Sequence, residues 1–140
     1  MKWLPILALV ACAQTADVAP PGDYTAWKRI DTYGPAPGHG DTYRIIYAND
    51  VARSFLGGRY PDGTILVKEI HVNDGGTPGA LRDVEIMRRL GPAPMGLDNQ
   101  AGWLFTNAAI PNGPEVIKTT CWRRCHVAAP FAGAWFDYGQ

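Results

Sequence analysis

The residues best suited to do chemistry lie together near the end of the chain. Cys121 and Cys125 are separated by three residues, and His126 follows the second cysteine directly. The usual attachment motif of a c-type haem has two residues between its cysteines and the same trailing histidine. Positions i and i+4 of a helix share a face, so both thiols could still meet the two vinyl groups of a porphyrin while His126 presents a ring nitrogen to iron. The string is therefore compatible with covalent haem attachment.

Two other interpretations of these cysteines stay open. In an oxidising compartment the default for Cys121 and Cys125 is a disulfide, although parallel side-chain vectors make a bond between i and i+4 of a helix awkward. The third interpretation is a pair of reduced, structural cysteines. A zinc site is disfavoured, because only His39 and His71 remain as further soft ligands and neither has ligand spacing.

The N-terminus predicts export. Residues 1–11 combine a short charged start with an apolar run that is much shorter than the roughly 20 residues of a membrane span, so they are predicted to be a signal peptide. Residues 9–12 resemble a bacterial lipobox, in which Cys12 is lipidated after cleavage. The alternatives are ordinary cleavage after Ala13 and a wrongly assigned start codon. All three place the protein in the periplasm, anchored to the membrane as a lipoprotein if Cys12 is modified.

Composition predicts one folded domain. The chain has 140 residues, with 13 Lys and Arg against 13 Asp and Glu, which argues against a generally basic nucleic-acid binder. Hydrophobic residues make up 46% and charged residues 19%, which excludes a disordered chain. After the signal, residues 12–22 form a Pro-containing linker without periodicity, and residues 23–140 form the domain.

The predicted elements describe an α+β fold, an antiparallel β-sheet with a few flanking helices. Strands are predicted at residues 43–47, 64–72 and 103–106. Helices are predicted at residues 24–30, capped by Asp23, at 51–56, and within 114–126, where the helix would hold the cysteines. Residues 81–90 fit either a helix or a strand. Residues 33–40 are predicted to be a Gly- and Pro-rich surface loop that contains His39.

The strand predicted at residues 64–72 puts Lys68 among apolar neighbours. Alternate residues point to opposite faces, so Lys68 shares a face with Leu66 and Ile70 while Glu69 faces the other way. A lysine in that position must extend to solvent, pair with a carboxylate, or lose its proton and become a nucleophilic amine. The alternative is a lysine on an edge strand, where it discourages aggregation.

Several stretches together resemble the cytochrome P-460 family, in the order that family shows. They are Tyr43-Arg44-Ile45-Ile46-Tyr47-Ala48-Asn49, Tyr60-Pro61-Asp62-Gly63-Thr64-Ile65-Leu66-Val67-Lys68-Glu69, Gly102-Trp103-Leu104-Phe105 and the cysteine string. The resemblance covers residues 23–137. It implies an antiparallel sheet with few helices, related to the β-sheet cytochromes c-prime, that binds one covalent haem per subunit and forms a homodimer.

The resemblance also implies residue roles, carried over by position. Cys121 and Cys125 would form thioethers to haem c, and His126 would ligate the iron. Lys68 would cross-link to the porphyrin edge. Glu85 would be the carboxylate that accepts substrate protons, with a pKa raised by apolar surroundings.

Family members convert hydroxylamine, together with nitric oxide, to nitrous oxide or nitrite, and related members only bind nitric oxide. The resemblance thus implies an exported haem oxidoreductase with five-coordinate iron and a cytochrome as redox partner. The first alternative is a non-enzymatic haem protein that binds nitric oxide or transfers electrons, which a pocket without a carboxylate would favour. The second is a haem-free exported binding module with a Cys121–Cys125 disulfide.

Overall fold

The computed structural model describes residues 14–91 and 102–140, and within them one antiparallel sheet dominates. Its six strands pair in chain order, each with the next. The strands are β1 (Lys28–Ala36), β2 (Gly40–Ala48), β3 (Ile65–Asp74), β4 (Thr77–Arg89), β5 (Trp103–Ala108) and β6 (Val116–Ile117). The short helices are α1 (Thr120–Arg124) and 3₁₀ turns at Tyr24–Ala26, Asp50–Ser54 and His126–Ala128. The predicted antiparallel sheet with few helices is confirmed. The predicted signal peptide and Cys12 lie outside the described residues.

The ambiguous segment, residues 81–90, is the second half of the long strand β4. Val84 and Ile86 alternate with more polar neighbours and are almost fully buried. Strand β4 pairs with β3 on one side and with β5 on the other. Pairing on both sides explains why the strand pattern prevails over the helical one.

Two local predictions near the start of the domain were wrong. The helix at residues 24–30 shrinks to Tyr24–Ala26, Asp23 makes no side-chain cap, and Lys28 already begins β1. The loop at residues 33–40 is mostly strand, because β1 continues to Ala36 and leaves only residues 37–39 as a turn before β2. In both places pairing of β1 with all of β2 outweighs the local turn and helix signals.

The sheet buries apolar residues on both faces. One face packs against the C-terminal segment that follows β6, and its buried residues include Ile46, Leu66, Trp103, Phe105 and Tyr138. The opposite face buries another group around Tyr24. The C-terminal segment is therefore the layer that encloses the first face. Within residues 14–91 and 102–140, no helix combines the length and hydropathy needed to cross a membrane.

Residues 14–22 lie against the β6 edge of the sheet. Thr15 forms a bridge with Val116, and the backbone N–H of Ala16 donates to the carbonyl of Glu115 at 2.9 Å. Arg88, whose guanidinium is paired with the buried Glu115 carboxylate, donates to the carbonyl of Ala19 at 3.1 Å. The boundary between linker and domain at residues 22 and 23 stays a prediction.

Candidate functional site

A cavity of about 270 Å³ lies between the sheet and the C-terminal segment, and most of its wall is apolar. Among the described residues, its lining includes the side chains of His39, Lys68, Glu85, Cys121, Cys125 and His126. Its apolar wall includes Ile46, Leu66, Met87, Phe105 and Trp135. The fold thus gathers every residue that the sequence singled out for the site into one cavity, and it adds His39.

Lys68 and Glu85 face each other across β3 and β4. The two residues are direct register partners, and Lys68 Nζ lies 2.6 Å from Glu85 Oε2. Strand β3 is central, between β2 and β4, so the interpretation of Lys68 as an edge-strand lysine is wrong. Of the options open to a lysine on an apolar face, the structure shows pairing with a carboxylate.

The charge state of Glu85 differs from the expectation. Burial raises the pKa of Glu85, but attraction by Lys68 and its hydrogen bond outweigh burial, so the pKa lies below its usual value. The expected upward shift overlooked the ammonium group directly opposite. Glu85 is therefore an ionised carboxylate held in a largely apolar cavity.

His39 reaches the same cluster from the turn between β1 and β2, so its assignment to a surface loop was wrong. Lys68 Nζ donates a hydrogen bond to His39 Nε2 at 2.9 Å, and His39 Nδ1 lies 3.8 Å from Glu85 Oε1. Because Nε2 accepts, the ring proton sits on Nδ1 and faces the carboxylate. Burial and then Lys68 lower the pKa of His39, so the ring is neutral near pH 7. Gly38 and Gly40, flanking His39 between two β-prone runs, were the hairpin signal that could have revealed it.

The two cysteines lie one helical turn apart. Cys121 is in α1, and the backbone N–H of Cys125 donates to the carbonyl of Cys121 at 3.2 Å. Both are free thiols, and both line the cavity as expected for positions i and i+4. Burial raises the pKa of the Cys121 thiol. The helix is shorter than predicted, since Cys125 leaves helical geometry.

His126 is oriented by a backbone carbonyl. Its Nδ1 donates a hydrogen bond to the carbonyl of Gly133 at 2.7 Å, which leaves Nε2 with a free lone pair. The ring packs against Phe105, with ring centroids 4.8 Å apart. Burial is the main cause of a lowered pKa for His126, so the neutral ring can act as a metal ligand. A backbone acceptor on the far nitrogen is the arrangement that orients metal-binding histidines in proteins.

Glu69 and His71 lie on the opposite face, as the alternation of β3 predicted. The Tyr24 hydroxyl donates to Glu69 Oε1 at 2.7 Å, and His71 Nε2 lies 3.2 Å from Glu69 Oε2. His71 Nδ1 donates to the carbonyl of Gly79 at 2.9 Å. These contacts attach the 3₁₀ turn at Tyr24–Ala26 and the β3–β4 hairpin to the sheet, which makes His71 a structural residue.

The donor set fits a covalently attached haem. An apolar cavity with two thiols on one helical turn and a following imidazole, whose Nδ1 is already engaged, matches the requirements of thioether attachment and axial ligation. The comparison with protein families agrees: the family model of cytochrome P460 matches residues 21–132. The chain therefore belongs to the cytochrome P460 family, and this membership supports a c-type haem protein. The search of curated proteins found no match.

Proposed function

We propose that this protein oxidises hydroxylamine, in the presence of nitric oxide, at a covalently bound haem. The observation that supports it best is the single cavity in which Lys68 and Glu85 share the wall with Cys121, Cys125 and His126. Family membership supports the haem. The carboxylate supports turnover, because the alternative of a non-enzymatic nitric-oxide-binding protein would be favoured by a pocket without one.

Each residue of the proposed haem site has a distinct task. Cys121 and Cys125 would tether the porphyrin, and His126 Nε2 would ligate the iron, with Gly133 fixing its orientation. Phe105, packed on the imidazole, would keep water from that ring. When bound, the haem supplies an open coordination position and accepts electrons from the substrate.

The proton balance gives Glu85 its role. One hydroxylamine and one nitric oxide yield one nitrous oxide and one water, and they release one proton and one electron. The electron leaves to a redox partner, which we propose to be a cytochrome. The proton needs an acceptor inside the apolar cavity, and Glu85 is an ionised carboxylate there.

We assign Lys68 two effects: it would bond to the porphyrin, and it would thereby change the pKa of Glu85. A bond from its nitrogen to a ring carbon would replace one N–H and one C–H bond by a C–N bond. Starting from the ammonium form it would release three protons, and its two electrons would go to a two-electron oxidant such as a peroxide. The bond would also remove the ammonium charge that lowers the pKa of Glu85. Burial would then dominate and make Glu85 a stronger base.

We further propose that the protein is exported to the periplasm, as the N-terminal signal and lipobox indicate, and that it forms a homodimer as the family resemblance implies. Export fits covalent haem attachment, because two thiols outside the cytoplasm would otherwise be prone to oxidation.

Turnover tests the proposal directly. The purified holoprotein, given hydroxylamine, nitric oxide and an artificial electron acceptor without oxygen, is expected to form nitrous oxide and reduce one electron equivalent of acceptor per nitrous oxide. Glu85→Gln, which keeps the shape but cannot ionise, should retain haem and lose about 100-fold or more in rate. The matched control is His71→Gln on the opposite face, with an unchanged rate. Unchanged turnover in Glu85→Gln removes Glu85 from the mechanism, and no turnover by the wild type refutes the activity.

A further inference from the structure

His39 lies at the boundary between the cavity and solvent. It sits on the turn of residues 37–39, where the neighbouring Gly38 and Gly40 are exposed and adopt φ values of +78° and +66°. The His39 side chain itself is only 21% exposed and lines the cavity. One imidazole therefore connects the interior of the site with a surface turn.

The two ring nitrogens of His39 meet different partners. Nδ1 bears the proton and faces the Glu85 carboxylate, while Nε2 offers its lone pair to Lys68. An imidazole whose N–H is directed at a carboxylate can act as a general base once the lone pair on its other nitrogen is released from its partner. If Lys68 becomes bonded to the porphyrin, it no longer presents an ammonium group to Nε2.

We propose that His39 is the group to which ligands entering this cavity first give their proton, while Glu85 orients the ring, stabilises its charged form and accepts the proton of Nδ1 in turn. The inference rests on the proposed function, since it takes the ligand to bind in the cavity on the side of the iron away from His126. The proton leaves the ligand, arrives on His39 Nε2, and makes an imidazolium whose Nδ1–H faces Glu85. One positive charge is gained beside one negative charge, and the exposed turn lets the proton pass to water.

The charged and titratable groups around His39 set the pH range in which its ring can accept a proton. Burial is the main cause that lowers the pKa of His39, followed by Lys68, and Arg44 acts in the same direction. Glu85 and Asp83 raise it, and His126 faces the same cavity. Neutral His39 accepts protons, so its function is present above its pKa and declines as the pH falls through that value, below the usual range of histidine.

Cyanide binding to the ferric holoprotein tests this without turnover. Hydrogen cyanide is a weak acid that binds iron as the anion, so its association is faster when a base in the cavity takes its proton. In His39→Gln, which cannot titrate, stopped-flow association should be at least about tenfold slower and lose its decline at acid pH, with a smaller change in dissociation. The matched control, His71→Gln, should behave like the wild type.

A second variant guards against a folding defect in the first. In His39→Ala, 2,6-dimethylpyridine, a base too hindered at nitrogen to ligate iron, should restore the association rate as its concentration rises. Wild-type rates and pH dependence in His39→Gln would overturn the proposal, and absence of rescue in His39→Ala would count against it. His39-dependent cyanide binding without hydroxylamine turnover would refute only the proposed activity, whereas turnover with a His39-independent rate would refute only this inference.

Discussion

The pairing of Lys68 with Glu85 shows what a sequence can predict about single residues. The alternation of β3 placed Lys68 on the apolar, cavity-facing side, and this is confirmed. The partner could not be derived in the same way. Extending the pairing of Asp74 with Thr77 without interruption would bring Asp83 opposite Lys68, but two register shifts near His71 put Glu85 there. Such bulges depend on packing across the sheet, which no local pattern encodes.

The proposed bond between Lys68 and the porphyrin can be tested by absorption spectroscopy. A bond from Lys68 to the porphyrin edge alters the electronic structure of the ring, so the ferrous absorption band should lie to the red of that of an ordinary c-type haem. Lys68→Ala should return the band to the ordinary position while haem stays attached through the cysteines. Lys118→Ala, a lysine that does not line the cavity, is the control. A band that does not move in Lys68→Ala would show that no cross-link forms.

At the scale of elements, the loop from His126 to Ala134 orients the proposed iron ligand. Trp103 Nε1 donates to the carbonyl of Ala132 at 2.8 Å, and the next carbonyl, that of Gly133, receives His126 Nδ1. Gly133 adopts φ +94°, and a Cβ there would lie 2.8 Å from Trp122 and 3.0 Å from Trp103. The loop therefore depends on a residue without a side chain at this position.

Gly133→Ala is expected to displace the carbonyl that holds His126. The variant should lose several kcal/mol of stability, since an overpacked core typically costs about 1–3 kcal/mol and left-handed backbone adds about 1 kcal/mol. It should also show a mixed haem spectrum, because the axial imidazole loses its orientation. Gly34→Ala is a matched control, since Gly34 has φ +96° with open space around it. Urea unfolding and absorption spectra measure both, and equal effects in the two variants would contradict the role of Gly133.

Prediction of the elements succeeded where local pattern and tertiary pairing agree. The strands predicted at residues 43–47, 64–72 and 103–106 lie in β2, β3 and β5, apart from Thr64, which precedes β3. The helix predicted at residues 51–56 is a 3₁₀ turn at Asp50–Ser54, where Asn49 accepts from the N–H of Ala52. It failed where pairing extends a strand through residues with loop or helix signals, as at β1. The place of His39 in the site was missed for this reason. Because β1 is longer than predicted, the predicted surface loop is a tight hairpin whose turn puts His39 in the cavity wall.

At the scale of the whole molecule, the two faces of one sheet have different tasks. One face, with the C-terminal segment over it, encloses the proposed haem site. The other holds the polar contacts of Glu69 with Tyr24 and His71. The buried Arg88–Glu115 pair ties residues 14–22 to the sheet, with side chains only 6% and 2% exposed. Removal of either partner would leave the other as a buried, unpaired charge and destabilise the fold.

Covalent attachment of haem to Cys121 and Cys125 can be measured as the mass of the denatured protein after expression with a c-type cytochrome assembly system. We expect a polypeptide heavier by one haem, with haem stain retained on a denaturing gel. Attachment should weaken in Cys121→Ser or Cys125→Ser and disappear in the double variant. A polypeptide whose mass equals that of its amino acids alone would show that these cysteines bind no haem covalently.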